Sequence, residues 1–232
     1  KVMRGSKTLR SHLPKTKKLT VSHLRFMLKK YGAVIVKPRN GSGGAGVLRI
    51  RRKSTGRYEI RYKTKVKRKK RFRSVYRYVL RKRKGRSMIV QQYIRLARVN
   101  GRPFDLRVMV QRKSTKSGRW QITGRLAKIA GKGYNITSVQ RSHGKVTTVS
   151  SALRRSNVRN RPVSAIMREV DRISLIAVLR LSRRYRWIHT VGMDIGIDRK
   201  GKAWIIEANF RPSLSLFRKL SREAYRRIVN FR

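Results

Sequence analysis

The 232-residue chain has no cysteine, only eight acidic residues, and no apolar run long enough to cross a bilayer. Each shortage removes a class of explanation. Without cysteine there are no disulfides and no thiolate metal sites, so any metal is held by oxygen or nitrogen. A membrane-crossing helix needs about 20 consecutive apolar residues, and the opening Lys1-Val2-Met3-Arg4 lacks the apolar core of a signal peptide. The expectation is a soluble, cytoplasmic protein with no transmembrane segment. Because the first residue is not Met, a fragment or processed product is also expected, with any upstream domain unseen. His12, His23, His143 and His189 are scattered without ligand spacing, so packing or surface roles are expected of them.

Positive charge is what the chain has in excess: 65 Lys and Arg against eight Asp and Glu, a formal net charge of +57. That excess opposes compaction by self-repulsion, and it points to an anionic partner. Nucleic acid, polyphosphate, another acidic polymer and anionic lipid all qualify, because counterion release rewards any dense negative array. The apolar content of 39% is still enough for a core. Between Arg61 and Arg86, 15 of 26 residues are basic, yet Phe72, Val75, Tyr76, Val79 and Leu80 recur at helical spacing. This predicts an amphipathic helix over 72–80 whose long basic stems lie along apolar surface. Tyr58, Tyr62, Tyr76 and Tyr78 could stack on bases of a single strand or anchor the core, and both readings stand.

The rest of the chain reads as mixed helix and strand. Leu24, Met27 and Leu28 predict a helix capped at Thr20 or Ser22 and ended by Gly32. Ala33-Val34-Ile35-Val36 predicts a buried strand, which stops at Lys37-Pro38 and feeds a loop with four glycines between Gly41 and Gly46. Strands are predicted at 47–50, 88–94, 106–110, 120–129, 191–197 and 203–208, and a long amphipathic helix over Val163 to Ser182. A stretch rich in Ser, Gly, Asn and Arg, 131–161, is expected to be a long loop with short strands. A single basic helix is expected to close the chain.

Two places could carry chemistry. Three of the eight acids lie between Asp194 and Glu207, in strands joined by the turn Asp198-Arg199-Lys200-Gly201. Read as a hairpin, this puts Asp194 and Glu207 on paired strands, with Glu207 and Asn209 on one face. Two carboxylates and an amide oxygen suit a hard cation such as Mg²⁺; the alternative is a structural hairpin whose acids soften local charge. Second, Lys37 and the glycine loop could receive phosphate, since glycines let backbone N–H groups approach and lysine supplies a point charge. The spacing is not that of a P-loop, and an ordinary turn is the alternative.

Together, strand-Lys37-Pro38, the glycine loop, Gln91-Gln92-Tyr93-Ile94, Asp105-Leu106-Arg107-Val108, then Asp194, Glu207 and Asn209 resemble ATP-grasp proteins. With Gly101-Arg102-Pro103-Phe104-Asp105 and Gly196-Ile197-Asp198, the chain looks most like the spore-coat-associated ATP-grasp proteins of endospore-forming bacteria. The resemblance covers roughly Leu13 to Pro212. It implies an α+β fold of two subdomains clamping a nucleotide between antiparallel sheets: residues 13–90 with the glycine loop and 91–232 with the metal site, after an extension at 1–12. It implies ATP and Mg²⁺ as cofactors. Lys37 would contact the ATP phosphates, with Ser42, Gly43, Gly44 and Gly46 covering them as a flap. Gln91, Gln92 and Ile94 would line the adenine pocket, and Asp194, Glu207 and Asn209 would hold Mg²⁺. Arg107 would face the terminal phosphate, with Lys128 in a similar role. Two positions depart from the pattern: Ser138 stands where relatives often have Asn, and Arg98 where some place an acid for the ribose.

The expected function is an ATP-dependent carboxylate-amine ligase acting through an acyl phosphate, cytoplasmic or spore-associated, with unknown carboxylate and amine substrates. The alternative is a polyanion- or nucleic-acid-binding spore-associated structural protein that keeps an ATP-grasp shell.

Overall fold

The computed structural model describes residues 2–40, 45–113, 118–134, 137 and 139–231. Among them the chain opens with a 3-10 turn at Val2–Gly5 and a short helix α1 (Lys7–Arg10). It continues through β1 (Thr16–Lys18), α2 (Val21–Tyr31), β2 (Ala33–Pro38), β3 (Leu48–Arg52), β4 (Tyr58–Tyr62), β5 (Lys65–Lys69), α3 (Phe72–Arg83) and β6 (Met88–Gln92). The second half holds β7 (Arg98–Val99), β8 (Arg102–Gln111), β9 (Gln121–Ile129), α4 (Val139–Ser142), β10 (Lys145–Thr147), α5 (Val149–Arg154) and α6 (Val163–Arg184). It ends with β11 (Thr190–Ile197), β12 (Ala203–Asn209), α7 (Ser215–Leu220) and α8 (Arg222–Asn230). The strands form two antiparallel sheets, ordered β1-β6-β2-β3-β4-β5 and β10-β9-β8-β11-β12, the second with β7 paired to β8. This is an α+β architecture.

In the first lobe, α2 starts where the Thr20 hydroxyl accepts the His23 N–H at 3.0 Å and stops at Gly32, which takes φ 68°. Its buried Leu24, Met27 and Leu28 join Val75, Tyr78 and Val79 of α3 over one face of the sheet. Strict alternation then decides what the other face shows. Val34 and Val36 of β2 and Val90 of β6 point into the core, which leaves Ile35, Lys37, Ile89 and Gln91 facing away from it. The basic run divides between α3 and β5, whose Lys65, Lys67 and Arg68 stand exposed on an edge strand. Charge there discourages edge-to-edge association. Tyr58, Tyr62 and Tyr76 pack against this core and Tyr78 is buried in it, so these tyrosines are core anchors.

The second lobe packs α6 against one face of its sheet. Ile166, Val170, Ile173, Ala177 and Val178 meet Leu106, Val108, Met193 and Ile195 in one cluster. Residues 2–12 lie on this lobe: Leu9 is fully buried in the same cluster, and the His12 ring nitrogen Nδ1 sits 2.8 Å from the Ala203 carbonyl oxygen. On the opposite face, α7 and α8 cover only the far end of the sheet, through Phe217 and Ile228 against Met109 and Leu126. Gly124 permits that close approach, since a Cβ there would lie 2.7 Å from Ile228 Cδ1.

Two expectations need correction. The stretch 131–161 is not only loop and short strand, because α4 and α5 lie within it. Val149, Ala152 and Leu153 bury the α5 face, and the Thr148 hydroxyl caps it by accepting the Ser151 N–H at 3.3 Å. The polar residues that suggested a loop serve partly as caps. The closing helix is two helices, with Ser221 at the break, where its hydroxyl caps α8. No helix among the described residues is long and apolar enough to cross a membrane.

Candidate functional site

Between the two sheets lies a cleft of about 650 Å³. One wall is the uncovered face of the first sheet, with Ile35, Lys37, Ile89 and Gln91. The other is the part of the second sheet that α7 and α8 leave open, with Asp105, Arg107, Lys128, Asp194, Glu207 and Asn209. Gln92, Tyr93, Ile94 and Leu96 close one end of the cleft where the chain crosses between lobes; Arg211, Pro212 and Ser215 also line it. A cleft of this size, part apolar with convergent polar groups, is the usual form of a small-molecule site.

Strand register brings the charged wall together. Asp194 pairs with Glu207 on β12 and with Arg107 on β8, and Asp105 of β8 pairs with Lys128 of β9. A β-bulge lies between Asp194 and Ile195: Ile195 opposes Ile205 while Asp194 opposes Glu207, so Ile206 is the extra residue. Without it, Glu207 would share the core-facing parity of Ile205. With it, both Ile206 and Glu207 line the cleft.

Arg107 grips Asp194 with two bonds, Nε to Oδ1 at 2.7 Å and Nη2 to Oδ2 at 3.1 Å, while Lys128 Nζ donates to the same Oδ1 at 2.9 Å. Lys128 also lies 3.2 Å from Asp105 Oδ1, and Asp105 Oδ2 accepts the Thr137 hydroxyl. These charges are nearly dry, the Lys128 and Asp105 side chains each being 6% exposed. Burial lifts the Asp105 pKa to about 6, against the pull of Lys128. Burial also works to raise Asp194, but Lys128 and Arg107 outweigh it and hold the pKa below the ordinary carboxylate value. Glu207 is raised by burial and then by Asp194, with Lys37 opposing. Lys37 is lowered by burial, against the attraction of Glu207 and Asp194. Small residues make the space: a Cβ on Gly192 would lie 2.7 Å from Pro212 Cβ and 3.3 Å from Arg107 Cδ.

The cleft thus gathers Lys37, Gln91, Gln92, Ile94, Arg107, Lys128, Asp194, Glu207 and Asn209. Gly46 stands behind the lining residues Ala45 and Val47, at φ 73° and against Pro38. Ser42, Gly43, Gly44 and Ser138 lie outside the described residues. Arg98 does not line the cleft; it donates to the Gly101 carbonyl on the β7–β8 turn. The third acid of the hairpin, Asp198, is a turn residue, accepting the Lys200 and Lys202 N–H groups and the Trp204 indole. Asp105 received no role from the sequence, although its spacing of two from Arg107 puts both on one strand face. Ile206 could not be found, because a bulge leaves no mark in alternation.

The donor set fits a hard divalent cation. The Glu207 side chain makes no hydrogen bond or ion pair with any described residue, and its neighbour Asp194 carries like charge. Asn209 directs its amide nitrogen to the Gly192 carbonyl and to Asp194, which leaves its amide oxygen as a ligand. Asp194 has both oxygens engaged by cations. No group of three His, Cys, Asp or Glu forms among the described residues, so the set is two carboxylates and one amide.

A family model for the YheC/D like ATP-grasp proteins matches residues 1–231. The endospore coat-associated protein YheD of Bacillus subtilis (strain 168) is 28% identical over 198 residues, which are 81% of this chain and 41% of that protein. YheC of the same organism, likewise endospore coat-associated, is 22% identical over 218 residues, 91% of this chain and 58% of that one. The chain therefore spans about half the length of these relatives. Among solved structures, D-cycloserine synthetase DcsG superposes with a TM-score of 0.60 at 13% identity, covering 99% of this chain and 68% of that one. At such identity the likeness is one of fold.

Proposed function

The chain belongs to the YheC/D-like ATP-grasp family and has the α+β ATP-grasp fold, and we propose that it binds ATP with Mg²⁺ and joins a carboxylate to an amine through an acyl phosphate. One observation carries the reading. Glu207, Asn209 and Asp194, brought to one face by paired strands and a bulge, look across the cleft at the half-buried cation Lys37. Oxygen ligands on one side and a positive charge on the other are what a metal-bound polyphosphate needs.

In this proposal Lys37 holds ATP phosphates, and the backbone of the glycine loop, including Ser42, Gly43, Gly44 and Gly46, covers them. Ile94 lies just beyond β6, and its backbone N–H and C=O have no partner among the described residues. They offer a donor and an acceptor to the edge of adenine, with Gln91 and Gln92 beside them. The Gln91 amide is held by Thr16 at 3.0 Å, and Gln92 Oε1 accepts the Lys15 N–H at 3.3 Å. Asp194, Glu207 and Asn209 would hold Mg²⁺, which when bound neutralises phosphate charge. Arg107 faces the terminal phosphoryl group. A carboxylate oxygen of the acceptor attacks the γ-phosphorus and ADP leaves; an amine then attacks the acyl carbon, phosphate departs, and the nitrogen loses a proton to solvent. Positioning and charge neutralisation do the chemistry, and no side-chain nucleophile is required.

Titration calorimetry of ATP with Mg²⁺ in high salt, which suppresses nonspecific anion binding, tests this. Saturable binding by the wild type that Glu207→Ala abolishes or greatly weakens is the expected result. Equal binding by both proteins would sink the assignment. ADP release stimulated by candidate carboxylates and amines then identifies the acceptor.

A second reading rests on the charge. Among the described residues, ion pairs with Asp or Glu engage six Lys or Arg side chains, Arg49, Arg107, Arg125, Lys128, Arg161 and Arg227, where the whole chain has 65. That favours a polyanionic partner on the outer surface, nucleic acid or another acidic polymer. The endospore coat-associated relatives support a place at the spore. Binding to polyphosphate or DNA should fall steeply with salt; a flat salt response would remove this reading and leave the first intact.

A further inference from the structure

Lys128 occupies an odd position for a phosphate contact. It projects from β9 between two carboxylates, 2.9 Å from Asp194 Oδ1 and 3.2 Å from Asp105 Oδ1, in a place 6% exposed. Only the Asp194 contact is a hydrogen bond. Asp105 Oδ1 is a buried oxygen with no hydrogen-bond partner, although its sister oxygen is fixed by Thr137. The cluster therefore holds an acceptor that is within ion-pair distance of the Lys128 ammonium but takes no hydrogen bond from it, the hydrogen bond going to Asp194.

The commitment conflicts with metal binding. Asp194 Oδ1 accepts from both Arg107 and Lys128, so that oxygen has no lone pair left for a divalent cation until one donor withdraws, and a lysine this deeply buried cannot be left without a counter-charge except at a cost of several kcal/mol. Its strand partner Asp105 resolves the conflict. Resting on the metal-site reading above, we propose that Asp105 is the resting place to which Lys128 moves when Asp194 is given up to a divalent cation. Lys128 is then a built-in counter-ion that neutralises Asp194 in the free protein and withdraws without losing its own pairing. The two carboxylates and the lysine form an exchange device, and Asp105 is a positioning residue acting through Lys128.

The test is Mn²⁺ binding, read from the loss of the free-ion electron paramagnetic resonance signal in the presence of a non-hydrolysable ATP analogue, with no turnover required. Asp105→Asn keeps the shape and leaves Lys128 no alternative to Asp194, so Mn²⁺ affinity should fall about tenfold or more, the range for lost metal-supporting partners. Lys128→Met removes the competitor and should bind Mn²⁺ at least as tightly as wild type. The double variant should return to the level of Lys128→Met. Asp105→Asn binding like wild type, or a double variant as weak as Asp105→Asn, overturns the exchange. If Asp105→Asn fails to fold, weaker Mn²⁺ binding by Lys128→Met than by wild type overturns it equally. Wild-type protein that takes up no Mn²⁺ with the analogue defeats the proposed function and this inference together. Binding by wild type alongside unchanged Asp105→Asn defeats the inference alone.

Discussion

The two walls of the cleft come from sheets of similar size and the same antiparallel pairing, yet they are built on opposite principles. The first presents apolar and amide side chains with a half-buried cation, Lys37, whose pKa desolvation pulls down. The second presents three of the chain's eight acids, two of which, Asp105 and Asp194, are interlocked with Arg107 and Lys128 while Glu207 stands unpaired among the described residues. In a chain of charge +57, acids on the outer surface would be neutralised cheaply by neighbours. Here three share one wall, and Asp105 and Asp194 are tied to specific buried cations. The difference teaches that the first wall is poised for a ligand to supply the missing charge, whereas the second is already self-consistent and resists disturbance.

Substitutions should separate the two. Asp194→Ala strands Arg107 and Lys128 without their shared partner, so unfolding in urea should show a loss of about 3 kcal/mol or more, along with loss of metal-dependent ATP binding. Lys37→Met removes a desolvated cation that has no partner among the described residues. ATP affinity should drop about tenfold or more, while the urea midpoint stays put or rises. If Lys37→Met destabilises as much as Asp194→Ala, the contrast between the walls is false. Gly192→Ala drives a methyl group against Pro212 and the Arg107 stem; a loss of roughly 1 to 3 kcal/mol is expected from overpacking, measured by thermal unfolding.

Smaller still is a pH effect. The folded pKa of Asp105, about 6, lies above the value near 3.9 of an unfolded chain. Between those values the folded protein binds a proton that the unfolded chain does not, so this group makes stability fall as pH rises through the window. Asp194, held low by Lys128 and Arg107, acts in the opposite sense and loses its contribution only as pH falls below the ordinary carboxylate value. Asp105→Asn should therefore flatten the pH dependence of stability between pH 4 and pH 6, removing a slope on the order of 1 kcal/mol per pH unit, read from the melting temperature across that range. The least effect belongs to Arg98→Ala, at a side chain turned to Gly101: nucleotide affinity by calorimetry should be unchanged.

Much of this was legible in the residues, because alternation and turn chemistry are local. That Asp194 and Glu207 stand on paired strands followed from the four-residue turn between them, though their direct opposition needs the bulge; α2, α6 and the placement of Lys37 followed from apolar spacing and caps. What escaped was non-local. Lys128 meets Asp105 only because β8 and β9 pair in one particular register across an intervening loop, and spacing within either strand cannot supply that register. The Ile206 bulge shifts parity by one residue without a glycine or proline to announce it. α5 was hidden because its apolar Val149, Ala152 and Leu153 sit among serines and arginines that read as loop.

The concentration of acid on one wall also has a kinetic consequence. A shell carrying most of 65 cations draws any anion toward the protein, raising encounter rates steeply at low ionic strength. It cannot tell nucleotide from phosphate or polymer. The acids beside Lys37 lower the positive potential inside the cleft, so under the proposed metal site an anion that arrives without a cation is held less well there than one that brings its own. The surface sets how often ligands come; the buried wall sets how long they stay.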